Sequence, residues 1–343
     1  MRVALVGNND GPLILADSMY AKHRHPVCVG LQKPVSDMLK AGYIGIVDEG
    51  NYFSDFDESR LLEELESFEF DILINCFCNF KFRKLLERYT VLNVHLAPLP
   101  RYRGRHPLHW ALINGEREFG FTVHQMDADF DAGEIYWQEN IPLKPGMSVE
   151  ELREALMKKL AEGFGDFLED YSKGDLTPKS NEDAKATYAP KRNPEDSCLT
   201  EWYDCDTIYR KVMALRSGNY PAYLKVNGKK IAVIRAELKW DEVEREESND
   251  RNSNFSKATG EKSAHEDLNG KNPIDEKPAL KNSDGIKLVG EKSNTKIGPD
   301  HKPAVIEQLH ENGISVLCQD GKRIQLFGFN PKKHNLIENQ ELT

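Results

Sequence analysis

Asp71-Ile-Leu-Ile-Asn-Cys-Phe77, followed after a short helical segment by Thr90-Val-Leu-Asn-Val-His95, is the stretch that decides the fold. The first run is nearly continuous in apolar residues, the pattern of a strand buried on both faces. Lys81 to Arg88 between the two runs reads as a helix. Toward the N-terminus the alternation continues, with strands at Arg2 to Val6, Pro26 to Gly30 and Tyr43 to Val47. Helices are expected from Leu13 to about Lys22 and from Ser59 to Phe68, where Leu61, Leu62 and Leu65 keep helical spacing. Strands alternating with helices imply right-handed crossovers and a parallel sheet, whose functional groups collect at the carboxyl ends of the strands.

Toward the C-terminus, Phe119 to Met126 and Glu134 to Gln138 read as strands, and Ser148 to Tyr171 as a long amphipathic helix. Ser148 is its N-cap, with Glu151 placed to complete a capping box. Pro178, Pro190 and Pro194 mark an extended connector, after which Asp206 to Leu215 is helical. Ala222 to Val226 and Lys230 to Leu238 form a hairpin around Asn227-Gly228. From Asp241 to Lys302 the only aromatic is Phe255, and Gly-Glu-Lys-Ser occurs at 260 and again at 290. Such a segment buries too little apolar area to offset its ordering entropy and is expected to be disordered. Strands resume at Ile314 to Cys318 and Arg323 to Phe327, around Gln319-Asp320-Gly321. The expected organisation is a catalytic domain over 1–177, a linker over 178–200, a small C-terminal barrel over 201–240 and 303–335, and the insertion 241–302 within that barrel. The fold class is α/β: a Rossmann-like, mostly parallel sheet with helices on both faces, followed by the small β-barrel.

Hydrophobic residues are 39% of the 343, enough for a packed core, while a net charge of −10 argues against a non-specific nucleic-acid binder. Cys28, Cys76, Cys78, Cys198, Cys205 and Cys318 follow no framework spacing, and Cys76-Phe77-Cys78 is too tight for a zinc knuckle. They read as free thiols of a cytoplasmic protein, with no metal. The apolar N-terminus is too short for a signal peptide, and no apolar run is long enough to cross a bilayer, so no membrane partner is expected.

The loop Gly7-Asn8-Asn9-Asp10-Gly11-Pro12 lacks the G-x-G-x-x-G of a dinucleotide fold and meets a ligand, if at all, by its position at a strand end. Asn93 and His95 point to one face of their strand end. The irregular loop that follows, Leu96 to Trp110, carries three prolines and alternating bases at that same edge, which favours binding over a spacer. Asp127, Asp129 and Asp131 alternate like a calcium loop, yet Ala132 and Gln138 occupy the positions where an EF-hand needs Gly and Glu. Asp131, before Ala132-Gly133, is the carboxylate placed to orient the ring of His95.

Asn93-Val-His95, Leu99-Pro-Arg-Tyr-Arg-Gly104, Ile113-Asn-Gly-Glu116 and Asp131-Ala-Gly133, in this order, resemble the family of 10-formyltetrahydrofolate-dependent formyltransferases. The likeness covers roughly Met1 to Asp175 and continues through Ile208 to Arg216 and Tyr220-Pro-Ala-Tyr223, which resemble the family's OB-like domain. It implies transfer of a formyl group from N10-formyltetrahydrofolate, with Asn93, His95 and Asp131 catalytic. It implies a folate site at Phe77, Cys78, Asn79, Ala97, Pro98, Leu99, Pro100 and Asp127, met largely through the backbone. Pro107-Leu-His-Trp110 is similar to a segment of enzymes that formylate dTDP- or UDP-linked amino sugars. Asn8, Arg103, Arg105 and Trp110 are then the substrate candidates, Trp110 being equally readable as a helix residue packed on the sheet. Initiator tRNA, as in methionyl-tRNA formyltransferase, is the alternative acceptor. A silent folate- or nucleotide-binding module is the alternative of another class. The C-terminal region admits a homodimer.

Overall fold

A computed structural model of the chain describes residues 1–8, 10–31, 58–78, 81–216, 220–239 and 303–342. The strand expected at Tyr43 to Val47, the folate candidate Asn79 and the insertion 241–302 lie outside the described residues. The chain divides into two compact units between Arg192 and Asn193.

The first unit runs β1 (Val3–Gly7), α1 (Gly11–Ala21), β2 (Cys28–Leu31), α2 (Glu58–Leu65), β3 (Ile72–Cys76), α3 (Lys84–Arg88) and β4 (Val91–His95). It continues through β5 (Arg103–Gly104), α4 (Pro107–Asn114), β6 (Glu118–Gln125), β7 (Ile135–Pro142), α5 (Val149–Lys173) and β8 (Tyr188–Ala189). Six of these strands make one sheet in the order β2-β1-β3-β4-β6-β7. The first four are parallel, as their crossovers require, and β6 and β7 return antiparallel. On one face Ala4, Val6, Leu73 and Val91 pack with Leu61 and Leu65 of α2 and Leu85 of α3. The alternate residues Val3 and Leu5 are equally buried, on the side that α1 and α5 cover together.

The ends of α5 are set by local chemistry. The Ser148 hydroxyl accepts from the Glu151 N–H, and the Glu151 carboxylate accepts from the Ser148 N–H, the expected capping box. Gly174 closes the helix in the left-handed conformation at φ 75°. Its buried stripe is Leu152, Leu156, Leu160, Phe164 and Leu168, and Trp137 of β7 stacks on Phe167 at 5.4 Å between centroids. The expected connector is divided by the unit boundary. Its first half is paired into the first unit, Lys179 with Ile135 and Tyr188 with Arg103.

The second unit contains α6 (Cys205–Ala214), β9 (Tyr223–Val226), β10 (Lys229–Ala232), β11 (Arg235–Lys239), β12 (Ala304–His310), β13 (Gly313–Leu317), β14 (Arg323–Phe327) and β15 (Glu341–Leu342). Asn227 and Gly228, at φ 48° and 76°, turn β9 into β10 as their sequence demands. The single strand expected over Lys230 to Leu238 is instead broken. Val233 donates to Ala222 of the hairpin, while Ile234 donates to Phe327, so that β11 joins a separate antiparallel sheet ordered β11-β14-β13-β12-β15. Among the described residues this is a sheet beside a hairpin, and no closed barrel forms. No described helix is long and apolar enough to cross a membrane.

Phe164 is the largest fully buried side chain of α5, so Phe164→Ala is expected to cost about 3–5 kcal/mol in denaturant unfolding.

Candidate active site

Three polar side chains stand in register across the centre of the first sheet. Asn75 of β3 lies opposite Asn93 of β4, and Asn93 lies opposite His124 of β6. The Cys78 N–H donates to Oδ1 of Asn75 (3.2 Å), and Nδ2 of Asn75 donates to Oδ1 of Asn93 (2.8 Å). Nδ2 of Asn93 then donates to Nε2 of His124 (3.0 Å), whose Nδ1–H donates to the Gln125 carbonyl (2.8 Å). Because a carbonyl only accepts, the last bond puts the His124 proton on Nδ1 and leaves Nε2 as the acceptor for Asn93. The Asn93 amide is thereby fixed in orientation, with one of its two N–H bonds committed to His124.

His95 ends β4 on the same face. Its Nε2–H donates to the Tyr102 carbonyl at 2.9 Å, so Nδ1 carries the lone pair. The tautomer of His95 is therefore set by the Tyr102 backbone, where the sequence suggested Asp131. Asp131 faces the other nitrogen: its Oδ1 lies 3.7 Å from Nδ1 of His95 and 3.7 Å from Nε2 of His124. Its Oδ2 accepts from the Gly104 N–H at 2.8 Å. Burial by itself pushes this carboxyl up, but attraction to His95 and His124 in their cationic forms, together with the Gly104 N–H, outweighs it. The Asp131 pKa is held well below the usual carboxylate range. Asp131 sits at φ 53°, and Asn181 secures that turn by donating Nδ2 to the carbonyls of Asp131 (2.8 Å) and Gly133 (3.0 Å). Gly133 is required there, since a Cβ would lie 2.0 Å from the Gln125 carbonyl oxygen.

Asn93, His95 and Asp131 are thus brought together at the carboxyl edge. The other expected residues divide. The Arg103 side chain is 1% exposed, donating from Nη2 to Asn181 O (3.0 Å) and Oδ1 (2.9 Å) and from Nη1 to Asp183 (2.7 Å) and Tyr188 (3.3 Å). It is an internal clamp on the strand of residues that holds Asp131, not an exposed substrate ligand. Trp110 is 5% exposed and donates its indole N–H to the Pro190 carbonyl at 2.8 Å, the packing alternative of its two readings. Arg105 is exposed, with its backbone N–H paired to Ala189. Near it, burial and the charge of Arg192 push the His109 imidazole down to about 3, so that ring is neutral at physiological pH. Asn8 is buried at the end of β1, its N–H donating to the Cys76 carbonyl. Gly11 in this loop has no room for a side chain, a Cβ meeting Cys76 Sγ at 2.7 Å and the Phe77 ring at 2.8 Å. Close packing thus accounts for that glycine without a phosphate.

Of the folate candidates, Phe77 and Cys78 are partly exposed at the end of β3, with Phe77 in the left-handed region at φ 72°. Ala97, Pro98 and Leu99 are buried, and Pro100 is intermediate. Thr122 shapes this segment: its hydroxyl donates to Ala97 O (2.7 Å) and accepts from the Leu99 N–H (3.1 Å). Asp127 is exposed and caps its own turn by accepting from the Asp129 N–H at 2.9 Å. Three residues escaped the sequence reading. Asn75 is the one polar residue inside the run Ile72–Cys76, and His124 shares its strand face with Thr122, signals that were present. The third, Phe130, is 58% exposed beside Asp131, with Lys81 Nζ at 5.0 Å from its ring.

Replacing Arg103 by Met is expected to cost about 2–3 kcal/mol in equilibrium unfolding, through the lost charged hydrogen bonds to buried Asn181. The partner Asp183 is 85% exposed and adds little. Asp131 sets an acid limit. Its folded pKa is depressed, so its stabilisation is complete above the unfolded value of about 3.9 and is lost as the pH falls from there through the folded value. Unfolding curves of Asp131→Asn should accordingly show a shallower loss of stability below about pH 4 than the wild type.

Comparison with known proteins bears on the same residues. The formyl transferase family matches residues 53–167. A methionyl-tRNA formyltransferase of Citrifermentans bemidjiense is 31% identical over 180 residues, 51% of this chain and 56% of that protein. The chain therefore spans about half the length of the curated relatives it matches. Among solved structures, WlaRD, a sugar 3N-formyl transferase in the presence of dTDP and 5-N-formyl-THF, superposes with a TM-score of 0.57 at 14% identity, over 95% of this chain and 97% of that one. HypX from Aquifex aeolicus in complex with tetrahydrofolic acid gives a TM-score of 0.53 at 19% identity, over 95% of this chain and 43% of that one. At these identities the likeness is one of fold. The formyl transferase match over 53–167 contains the site residues Asn93, His95 and Asp131, so this part of the chain is similar to that family.

Proposed function

We propose that the chain transfers a formyl group from N10-formyltetrahydrofolate to the amine of a nucleotide-linked amino sugar, dTDP- or UDP-linked. One observation carries this reading: the amide of Asn93, the lone pair of His95 and the depressed carboxyl of Asp131 meet at the carboxyl edge of the sheet. The neutral amine attacks the formyl carbon and gives a tetrahedral oxyanion. The second N–H of Asn93 donates to that oxygen, a role worth on the order of 3 kcal/mol. Nδ1 of His95 accepts the amine proton, and Asp131 stabilises the imidazolium so formed. When the bond between the carbon and N10 breaks, the proton passes to N10, so formamide and tetrahydrofolate leave and the enzyme is unchanged. The formyl donor is consumed as a substrate.

Folate binding is assigned to Phe77, Cys78, Asn79, Ala97, Pro98, Leu99, Pro100 and Asp127. Arg105 is the exposed candidate for contact with the acceptor. Pro107-Leu-His-Trp110 favours the sugar acceptor. The curated relatives named methionyl-tRNA formyltransferase support initiator tRNA as the second reading. The resemblance of Ile208 to Arg216 and Tyr220 to Tyr223 is what supports an OB-like reading of the second unit, and a cytoplasmic place suits both acceptors.

His95→Ala is expected to lower kcat/KM for formyl transfer by about 10²–10⁴. The purified chain would be assayed with N10-formyltetrahydrofolate against dTDP- and UDP-amino sugars and against charged initiator tRNA. Turnover unaffected by His95→Ala removes the mechanism, and formylation of tRNA alone removes the sugar assignment.

A further inference from the structure

The two thiols of the second unit that are most deeply buried meet. Cys205 is the first residue of α6, and Cys318 follows the last residue of β13. They are 113 positions apart in sequence, yet Sγ of Cys318 lies 3.1 Å from Sγ of Cys205. Asp320, two positions beyond Cys318, adds a carboxylate: the three donor atoms all lie within 4.8 Å of one another. The turn between β13 and β14 creates this arrangement. Gly321, at φ 80°, reverses the chain, and the Cys318 N–H donates to the Lys322 carbonyl at 2.9 Å, so Cys318 and Asp320 face α6 together.

We propose that Cys205, Cys318 and Asp320 bind a thiophilic divalent cation such as zinc, outside the formyl-transfer site. Two sulfurs and a carboxylate oxygen are a donor set that suits zinc. Zinc bonds of about 2.3 Å to sulfur and about 2.0–2.2 Å to oxygen place tetrahedral donors roughly 3.5–3.8 Å apart. The sulfurs therefore need to separate by only about 0.6 Å to admit the ion. The carboxylate is already oriented. Its Oδ2 accepts from the Cys205 N–H (3.0 Å) and its Oδ1 from the Lys322 N–H (3.1 Å), the outer hydrogen bonds that steady a ligating carboxylate. Each oxygen retains a lone pair for a metal. Asp320 is exposed while both cysteines are buried, which gives the ion a path from solvent to the sulfurs. Water completes the tetrahedron from that side. Cys205 also ties α6 to the β13–β14 turn, so the ion would link two elements otherwise joined by hydrogen bonds.

The full chain, kept reduced with a phosphine that does not bind the metal, would be titrated with zinc and with cadmium. One equivalent is expected to bind, giving the thiolate-to-cadmium charge-transfer band in the near ultraviolet and shielding two of the six cysteines from a thiol reagent. Zinc should raise the Tm of the wild type and of Cys198→Ser, but not of Cys318→Ser. Asp320→Asn, at an exposed position that leaves the buried thiols in place, should weaken zinc binding about 10-fold or more. Three results would overturn the assignment: no charge-transfer band in the wild type, a band unchanged in Cys318→Ser, or a Tm of Cys318→Ser that zinc raises as much as that of the wild type.

Discussion

Asn75, Asn93 and His124 stand side by side across β3, β4 and β6, in strands that are otherwise apolar over most of their length. In such a place each polar group must be satisfied, because an unpaired one costs about 1–3 kcal/mol. The row solves this with a one-way chain of hydrogen bonds from the Cys78 N–H to the Gln125 carbonyl. Its direction follows from its ends. A backbone donor at one end and a backbone acceptor at the other leave only one arrangement of the two amides and the imidazole. The Asn93 amide therefore cannot flip without breaking the chain. In the role proposed for it, an amide oriented in this way would need no reorganisation as charge develops on a substrate.

The carboxylate of Asp131 is placed by a different device. It lies on a loop in the left-handed region, and the loop is held from behind by Asn181, which is held in turn by buried Arg103. Arg103 belongs to the Leu-Pro-Arg-Tyr-Arg-Gly segment, whose Tyr102 carbonyl fixes the His95 ring and whose Gly104 N–H meets Asp131. One short loop thus sets the histidine tautomer, anchors the carboxylate and reaches across to residues 181–189. Tyr102 is itself held by Glu116, through a 2.6 Å bond from its hydroxyl. This gives Ile113-Asn-Gly-Glu116 a mechanical purpose beside its place in the family pattern.

The second unit obeys simpler rules. Its turns fall where Asn-Gly and Asp-Gly dictate, and α6 starts at Asp204, whose carboxylate accepts from the N–H groups of Asp206 and Thr207. The departure comes at Val233-Ile234. Two successive N–H groups there serve two different sheets, so one apolar run becomes two strands.

Hydrophobic period and turn chemistry were enough to determine the alternation of strand and helix through β4 and the capped α5. These are local properties: they depend on which residues lie within a few positions of one another. The break between β10 and β11, and strands β12 and β15, were not legible, because a strand's partner is chosen by long-range packing rather than by its own period. The same limit applies inside the site. The residue types of Arg103 and Trp110 suit a ligand and a buried clamp equally well, and only their neighbours Asn181 and Pro190 decide between them. Asn93, His95 and Asp131 could be named from the sequence. That His124 lies opposite Asn93, and that Tyr102 rather than Asp131 sets the His95 tautomer, depends on strand register and backbone position, which exist only once the chain has folded.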